Sequence, residues 1–272
     1  MRIVTRADFD SVSCAVLLRD ALGIEQPVKW VEPHEIQKKQ VDIKTGDIIA
    51  NLPYHQNCTL WFDHHYSNRI NVPFDGLYRI APSAAGLIFE FYREEFSRDF
   101  TELVAWTDKI DAADLSLEEI KYPENHPYLL LSMTVVSHIK GDQPYWDRLV
   151  DLLRHDDITK VMADSFVREK CARVIEENRG YRELLYAHTH TVEAVSITDF
   201  RSFEIPPSGN RFLVYALFPE TVVNVKIRHD IEDRETVIVN VGHNVLSPGC
   251  RVNIGAMLSG FNGGGHYSVG AC

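Results

Sequence analysis

Asp63, His64 and His65 follow one another at the end of an apolar run, Cys58 to Phe62 (CTLWF). A carboxylate and two imidazoles at a strand end offer mixed oxygen and nitrogen ligands. Such a set suits Mn2+ or a similar divalent ion better than the all-oxygen cage of Ca2+ or a thiolate site for Zn2+. The bland alternative is one imidazole hydrogen-bonded within the fold and the other on the surface. Asp8 and Asp10 lie two apart just after the first five residues. In an extended segment their side chains point the same way and can grip a common cation, although paired Asp residues also mark ordinary turns. Asp108, Asp111 and Asp114 are spaced to lie near one face of a helix, where like charges repel without a cation between them. Asp108, preceded by the apolar LVAWT, is the expected inward-pointing member.

Toward the other end of the chain, Gly263, Gly264 and Gly265 precede His266. Three consecutive glycines let backbone N–H groups approach an anion with no side chain in the way, and a helix beginning there would add its positive end. A plain flexible turn is the competing reading. Arg251, after SPGC, is a natural phosphate clamp if it faces the same cleft.

These residues need elements to position them. Met1 to Thr5 reads as a strand, RADFDS as a loop and SVSCAVLLRDAL as a helix with apolar spacing near 3.6. Three more strands are expected at Pro27 to Val31, Asp47 to Leu52 and Cys58 to Phe62, each with polar residues at its C-terminal side. Ser83 is a cap candidate for a helix over SAAGLIFEFY, and TELVAWTDKIDAAD continues the helical pattern. The pattern loosens between Lys121 and Gln143. Asp157 to His188 then reads as a long charged helix with a break near Gly180, followed by alternating runs (TVEAVSI, RFLVYALF, VVNVKIRH, TVIVNVGH). The expected architecture is α/β. An N-terminal domain, 1–125, has a doubly wound, mostly parallel sheet; a helical connector spans 126–188; a smaller C-terminal α/β domain covers 189–272. In such open sheets ligands sit beyond the carboxyl ends of the strands, where the Asp8–Asp10 and Asp63–His65 clusters fall.

Composition narrows the partners. The 28 Lys and Arg against 39 Asp and Glu give a net charge of -11, which disfavours tight binding of long duplex nucleic acid and favours small anionic ligands held in a cleft. The 45% hydrophobic content permits a buried core and excludes wholesale disorder. The five cysteines are scattered and form no CxxC pair, so neither a disulfide framework nor a zinc knuckle is indicated. With no apolar run long enough to span a membrane and acidic residues early in the chain, a cytoplasmic location with no membrane partner is expected.

Together, TRADFDSVS, FDHH at residues 62–65 and GGGHYSVGAC resemble the DHH family of phosphoesterases, named for its Asp-His-His motif, with its C-terminal substrate-binding domain. The resemblance implies a hydrolase of phosphodiester or phosphoanhydride bonds, akin to exopolyphosphatase-related and oligoribonuclease-like members. Its substrate would be a small phosphate-rich molecule: a short single-stranded oligonucleotide, a cyclic dinucleotide or polyphosphate. Mn2+ is the implied cofactor, with Mg2+ as an alternative. Carried over by motif, Asp8, Asp10, His65 and either Asp108 or Asp111 would be metal ligands, with Asp63, His64 and Arg6 at the reacting centre. Asn51, Arg251, Gly263, Gly264, Gly265 and His266 would contact substrate.

Two positions depart from the family pattern. Arg6 stands where the first motif, H-x-D-x-D, opens with His, and Asn51 stands where the second motif supplies a bridging Asp. An Arg cannot ligate a cation, and Asn offers only a neutral carbonyl oxygen. Both changes fall on one metal position, which implies a depleted site of one ion rather than two, with Arg6 facing the scissile phosphate. A family member that binds nucleotide or polyphosphate without turnover is the second reading, and an interaction protein the third. The connector could serve as a hinge between domains or as a homodimer contact.

Overall fold

The structure is a computed structural model that describes residues 1–136, 141–231, 233–247, 249–265 and 267–272. His266, one of the expected substrate contacts, therefore lies outside the described residues, as do residues 137–140 of the loosely patterned segment. The chain forms two compact units, one of Met1–Asp114 with His126–Cys171 and the other of Leu115–Asn125 with Ala172–Cys272. Residues 126–188, expected as one connector, are thus shared between the units. No helix among the described residues is long and apolar enough to cross a membrane.

The first unit opens with β1 (Arg2–Thr5), α1 (Phe9–Leu22), β2 (Lys29–Trp30), α2 (Pro33–Gln37), β3 (Asp47–Ala50), β4 (Leu60–Asp63) and β5 (Gly76–Tyr78), followed by α3 (Ala84–Phe91) and α4 (Thr101–Asp111). Its five strands are all parallel in the order β2-β1-β3-β4-β5. This is the parallel sheet expected from the sequence. The strands are shorter than their apolar runs, and β5 and α2 were not expected, because GLY and PHEIQ are too short to show a period. Val4, Ile49 and Trp61 pack with Val31, Ile36 and Leu52 in the core, and the buried Trp61 indole donates to the Leu52 carbonyl at 2.9 Å. Helix α1 is buried from Phe9 through Arg19, as its apolar run SVSCAVLL requires. Because β1, β3 and β4 are parallel neighbours, their carboxyl ends share one sheet edge. Arg6 to Asp10, Asn51 and Asp63 to His65 all leave the sheet at that edge.

Helix α5 (Leu117–Lys121) belongs to the second unit, whereas α6 (Pro127–Ser132), α7 (Gln143–His155) and α8 (Ile158–Ala163) belong to the first. The long α9 (Ser165–His188) runs unbroken through Gly180. The break expected there falls instead at Asp164, whose carboxylate accepts the N–H groups of Phe166 (3.0 Å) and Val167 (3.2 Å) and so starts a new helix. Gly180 has open space around it and nothing that bends the chain.

The second unit continues with β6 (Thr189–Val192), β7 (Val195–Asp199), α10 (Leu213–Leu217), β8 (Val223–His229), β9 (Val237–His243), α11 (Ile254–Ser259), β10 (Gly264–Gly265) and β11 (Val269–Ala271). The sheet order is β10-β11-β9-β8-β7-β6, with only β7 and β8 parallel. The run RFLVYALF, expected as an alternating strand, is helix α10. Four successive residues, Leu213 to Ala216, are buried there, and a short run buried on every side carries no period that separates strand from helix. No helix begins at the glycine run either: α11 ends before it, and Gly264 and Gly265 pair with β11. A Cβ at Gly263 would stand 2.2 Å from the Ala271 carbonyl oxygen, and one at Gly265 (φ +151°) would stand 2.3 Å from that of Val269. The neighbouring backbone thus demands glycine at both positions.

Candidate active site

Asp10, at the start of α1, is fully buried and held by the first turn of α3. Its Oδ2 accepts the Ala84 N–H at 2.9 Å and its Oδ1 accepts the Ala85 N–H at 2.8 Å. Ser83 makes this turn available by capping α3 through the Gly86 N–H. The His64 ring places Nδ1 3.0 Å from the Ala81 carbonyl, which can only accept, so Nδ1 carries the proton. Nε2 is then a bare lone pair in the neutral ring. It is buried with no hydrogen-bond partner and lies 3.7 Å from Asp10 Oδ2 and 3.3 Å from Asp111 Oδ2. A lone pair facing two carboxylates calls for a cation or a proton between them. Ligand atoms of Asp10, His64 and Asp111 all lie within 4.8 Å of one another, a spacing suited to one metal ion.

The electrostatics follow from this geometry. Burial, then the charge of Asp8, pushes the Asp10 carboxyl up to about 7 against the opposing Ala85 and Ala84 N–H groups. Asp111 is raised in the same way, first by burial and then by Asp10 and Asp8. A divalent ion would relieve both carboxylates at once.

The other acids of the cluster are already engaged. Buried Asp63 accepts at both oxygens, Oδ1 from His65 Nδ1 at 2.8 Å and Oδ2 from Asn68 Nδ2 at 2.8 Å, so it orients His65. Burial lowers the His65 pKa, but the Asp63 hydrogen bond and the charges of Asp63, Asp111 and Asp10 outweigh it and raise the value. Asp108 accepts the Ser83 hydroxyl at 2.5 Å and packs against Gly86, where a Cβ would stand 2.8 Å from Oδ1. Its carboxyl is raised by burial, with the Ser83 bond opposing. Asp111, rather than the expected inward member Asp108, is therefore the α4 carboxylate beside Asp10 and His64. Asp114 lies beyond the end of α4 and is exposed. Of the expected ligands, Asp10 and Asp111 fall in one cluster with His64, while His65 is turned to Asp63.

Asp8 caps α1 through the Ser11 N–H at 2.8 Å. Arg6 Nε lies 3.0 Å from its Oδ2, and Asn51 Nδ2 lies 3.1 and 3.2 Å from its two oxygens. Asn51 is buried in a left-handed conformation (φ 55°) that Asn tolerates well, and its Oδ1 has no partner. Neither Asn68 nor the α3 backbone amides were visible to sequence reasoning, because each acts through a fold-dependent contact.

In the second unit, Arg251 is exposed and its carbonyl accepts the Tyr267 hydroxyl at 2.9 Å. A cationic group missed by the sequence reading lies on β8. Lys226 is half-buried and its pKa is lowered, first by burial and then by the charges of Arg228 and Arg211. Lys226 pairs across the sheet with Thr198 and Asn240, on the polar face that also carries Asn224 and Ser196. The signal was present in VVNVKIRH, where Asn224, Lys226 and Arg228 alternate with Val223, Val225 and Ile227.

A parallel sheet whose carboxyl edge carries this Asp-and-His cluster, joined to a second unit with a mixed sheet, is the fold of a DHH-family phosphoesterase. No family model and no curated protein matches the chain. Among solved structures it is similar to a pGpG-specific phosphodiesterase, PggH, from Vibrio cholerae, at 27% identity and a TM-score of 0.84 over 100% of this chain and 92% of that one. It also shares the fold of the exonuclease RecJ, solved bound to manganese, at 15% identity and a TM-score of 0.54 over 99% of this chain and 85% of that one.

Proposed function

We propose that this chain is a metal-dependent phosphodiesterase of short oligonucleotides, with linear dinucleotides such as pGpG as the substrates to test first. The observation that carries the reading is the buried, unpartnered His64 Nε2 set against Asp10 and Asp111. These three residues would hold one divalent ion, with Mn2+ fitting their mixed nitrogen and oxygen set. Bound there, the ion supplies Lewis-acid activation of water and of a phosphate oxygen. Asp63 fixes the His65 ring through Nδ1 and leaves its second nitrogen to exchange a proton with the reacting groups. Arg6 brings positive charge to the same strand edge for the scissile phosphate. In the second unit, Lys226, Arg228 and Arg211 are suited to further phosphates, and Arg251 with the glycine hairpin to the same task. The likeness to a pGpG phosphodiesterase over the full chain supports a dinucleotide above polyphosphate.

A second reading, binding without turnover, is favoured by Arg6 and Asn51 at positions where metal ligands were expected. One experiment separates the two. Incubate the purified protein with pGpG, pApA, a cyclic dinucleotide or polyphosphate, with Mn2+ or with EDTA, and resolve the products by chromatography. Mn2+-dependent release of mononucleotide that His64→Ala abolishes is the expected result. Tight pGpG binding with no release would establish the binding module instead.

A further inference from the structure

Asp8 is the acid best placed to recruit a second cation beside the Asp10–His64–Asp111 cluster, and protein donors already meet its carboxylate. The Ser11 N–H and the Asn51 amide bind Oδ1, while the Asn51 amide and Arg6 Nε approach Oδ2. The orientation of Asn51 is fixed by this contact. Turned over, its Oδ1 would face the Asp8 carboxylate, so the amide donates there and also to Ser11 Oγ at 3.1 Å, leaving Oδ1 buried without a partner. An Asp at position 51 would instead set a second carboxylate against Asp8, a pair that needs a cation between its members. With Asn51 and Arg6 in place, that demand is gone.

We propose that Arg6 and Asn51 together take the place of a second divalent ion, so that the site binds a single ion at Asp10, His64 and Asp111 beside a permanent guanidinium cation. The inference rests on reading that cluster as a metal centre. Arg6 is partly exposed, with 31% of its side chain accessible, and an Arg stays charged at any metal concentration, so a positive charge stands beside Asp8 whether or not metal is bound.

Calorimetric titration with Mn2+, with metal analysis after desalting, tests the inference on the full chain. The wild type should take one ion per chain, and the Arg6→His/Asn51→Asp double variant two. Arg6→Gln, which removes the neighbouring positive charge without adding a ligand, should hold its one ion about 3- to 10-fold more tightly. Two ions in the wild type, one ion in a folded double variant, or unchanged affinity in Arg6→Gln would each overturn it. Two ions in the wild type would leave the phosphodiesterase reading intact, whereas a wild type that binds no Mn2+ would overturn the metal centre and this inference together.

Discussion

The two units carry opposite charge problems. At the strand edge of the first, Asp10 and Asp111 are crowded with a bare imidazole nitrogen, while Arg6, at the same edge, pairs with Asp8. On β8 of the second, Lys226 feels Arg228 and Arg211 and has no acidic partner among the described residues. Each arrangement is unfavourable alone and would be relieved by a ligand of the opposite sign, which under the proposed function is a metal cation in one unit and a phosphate in the other. The net charge of -11 conceals this division, since it averages an acidic strand edge with a basic sheet face.

Breaking the acidic side should have the largest effect. Asp10→Asn or His64→Ala removes a proposed direct ligand, and since loss of mere outer support costs about 10- to 100-fold, either variant should lose at least about 100-fold in pGpG turnover and in Mn2+ affinity. Rate assays and metal titration would check both losses. Breaking the basic side should act on binding. Lys226→Ala or Arg228→Ala should raise KM about 10-fold with kcat little changed, the size expected for one charge-assisted contact to phosphate. An unchanged KM in both variants would exclude β8 as a phosphate-binding face.

The smallest effect is on stability, and pH reveals it. In the metal-free protein the Asp10 carboxyl, raised to about 7, binds a proton in the folded state at pH values where the unfolded chain has released it. Folding is therefore favoured below the unfolded carboxylate range, and this contribution is lost as pH rises through about 7. Asp10 alone then shifts stability by about 1 kcal/mol per pH unit in that window. Calorimetry on EDTA-treated protein should show a higher Tm at about pH 5 than at about pH 8, with added Mn2+ closing the gap. A Tm that rises with pH in the absence of metal would show that the Asp10 carboxyl is not raised by its burial.

Much of the first unit was legible in the sequence. Its strands are β-branched runs that end in polar residues, and a parallel sheet necessarily collects those ends at one edge. The sequence pattern alone thus gathers the acids and imidazoles at that edge. Their individual tasks could not. Whether His64 or His65 faces the cluster depends on which ring finds the Ala81 carbonyl and which finds Asp63. Whether Asp108 or Asp111 turns toward Asp10 depends on the packing of α4 against Ser83 and Gly86. The second unit was less legible: α10 hides in a fully apolar run, and two of the three glycines read as an anion loop, Gly263 and Gly265, are required by close backbone approach to β11.

Residue types and their order along the chain determined the parallel sheet and the strand edge that gathers the chemistry, which follow from periodicity. The departure at Arg6 and Asn51 is legible only against the motifs of the family the chain resembles, and its consequence follows from which side chains can bind a cation at all. Tertiary structure alone decided which nitrogen of His64 is bare, which α4 carboxylate completes the cluster and that Asp8 already meets Arg6 and Asn51. Those outcomes turn on distances of a few ångströms between segments far apart in sequence, and local sequence does not encode such distances.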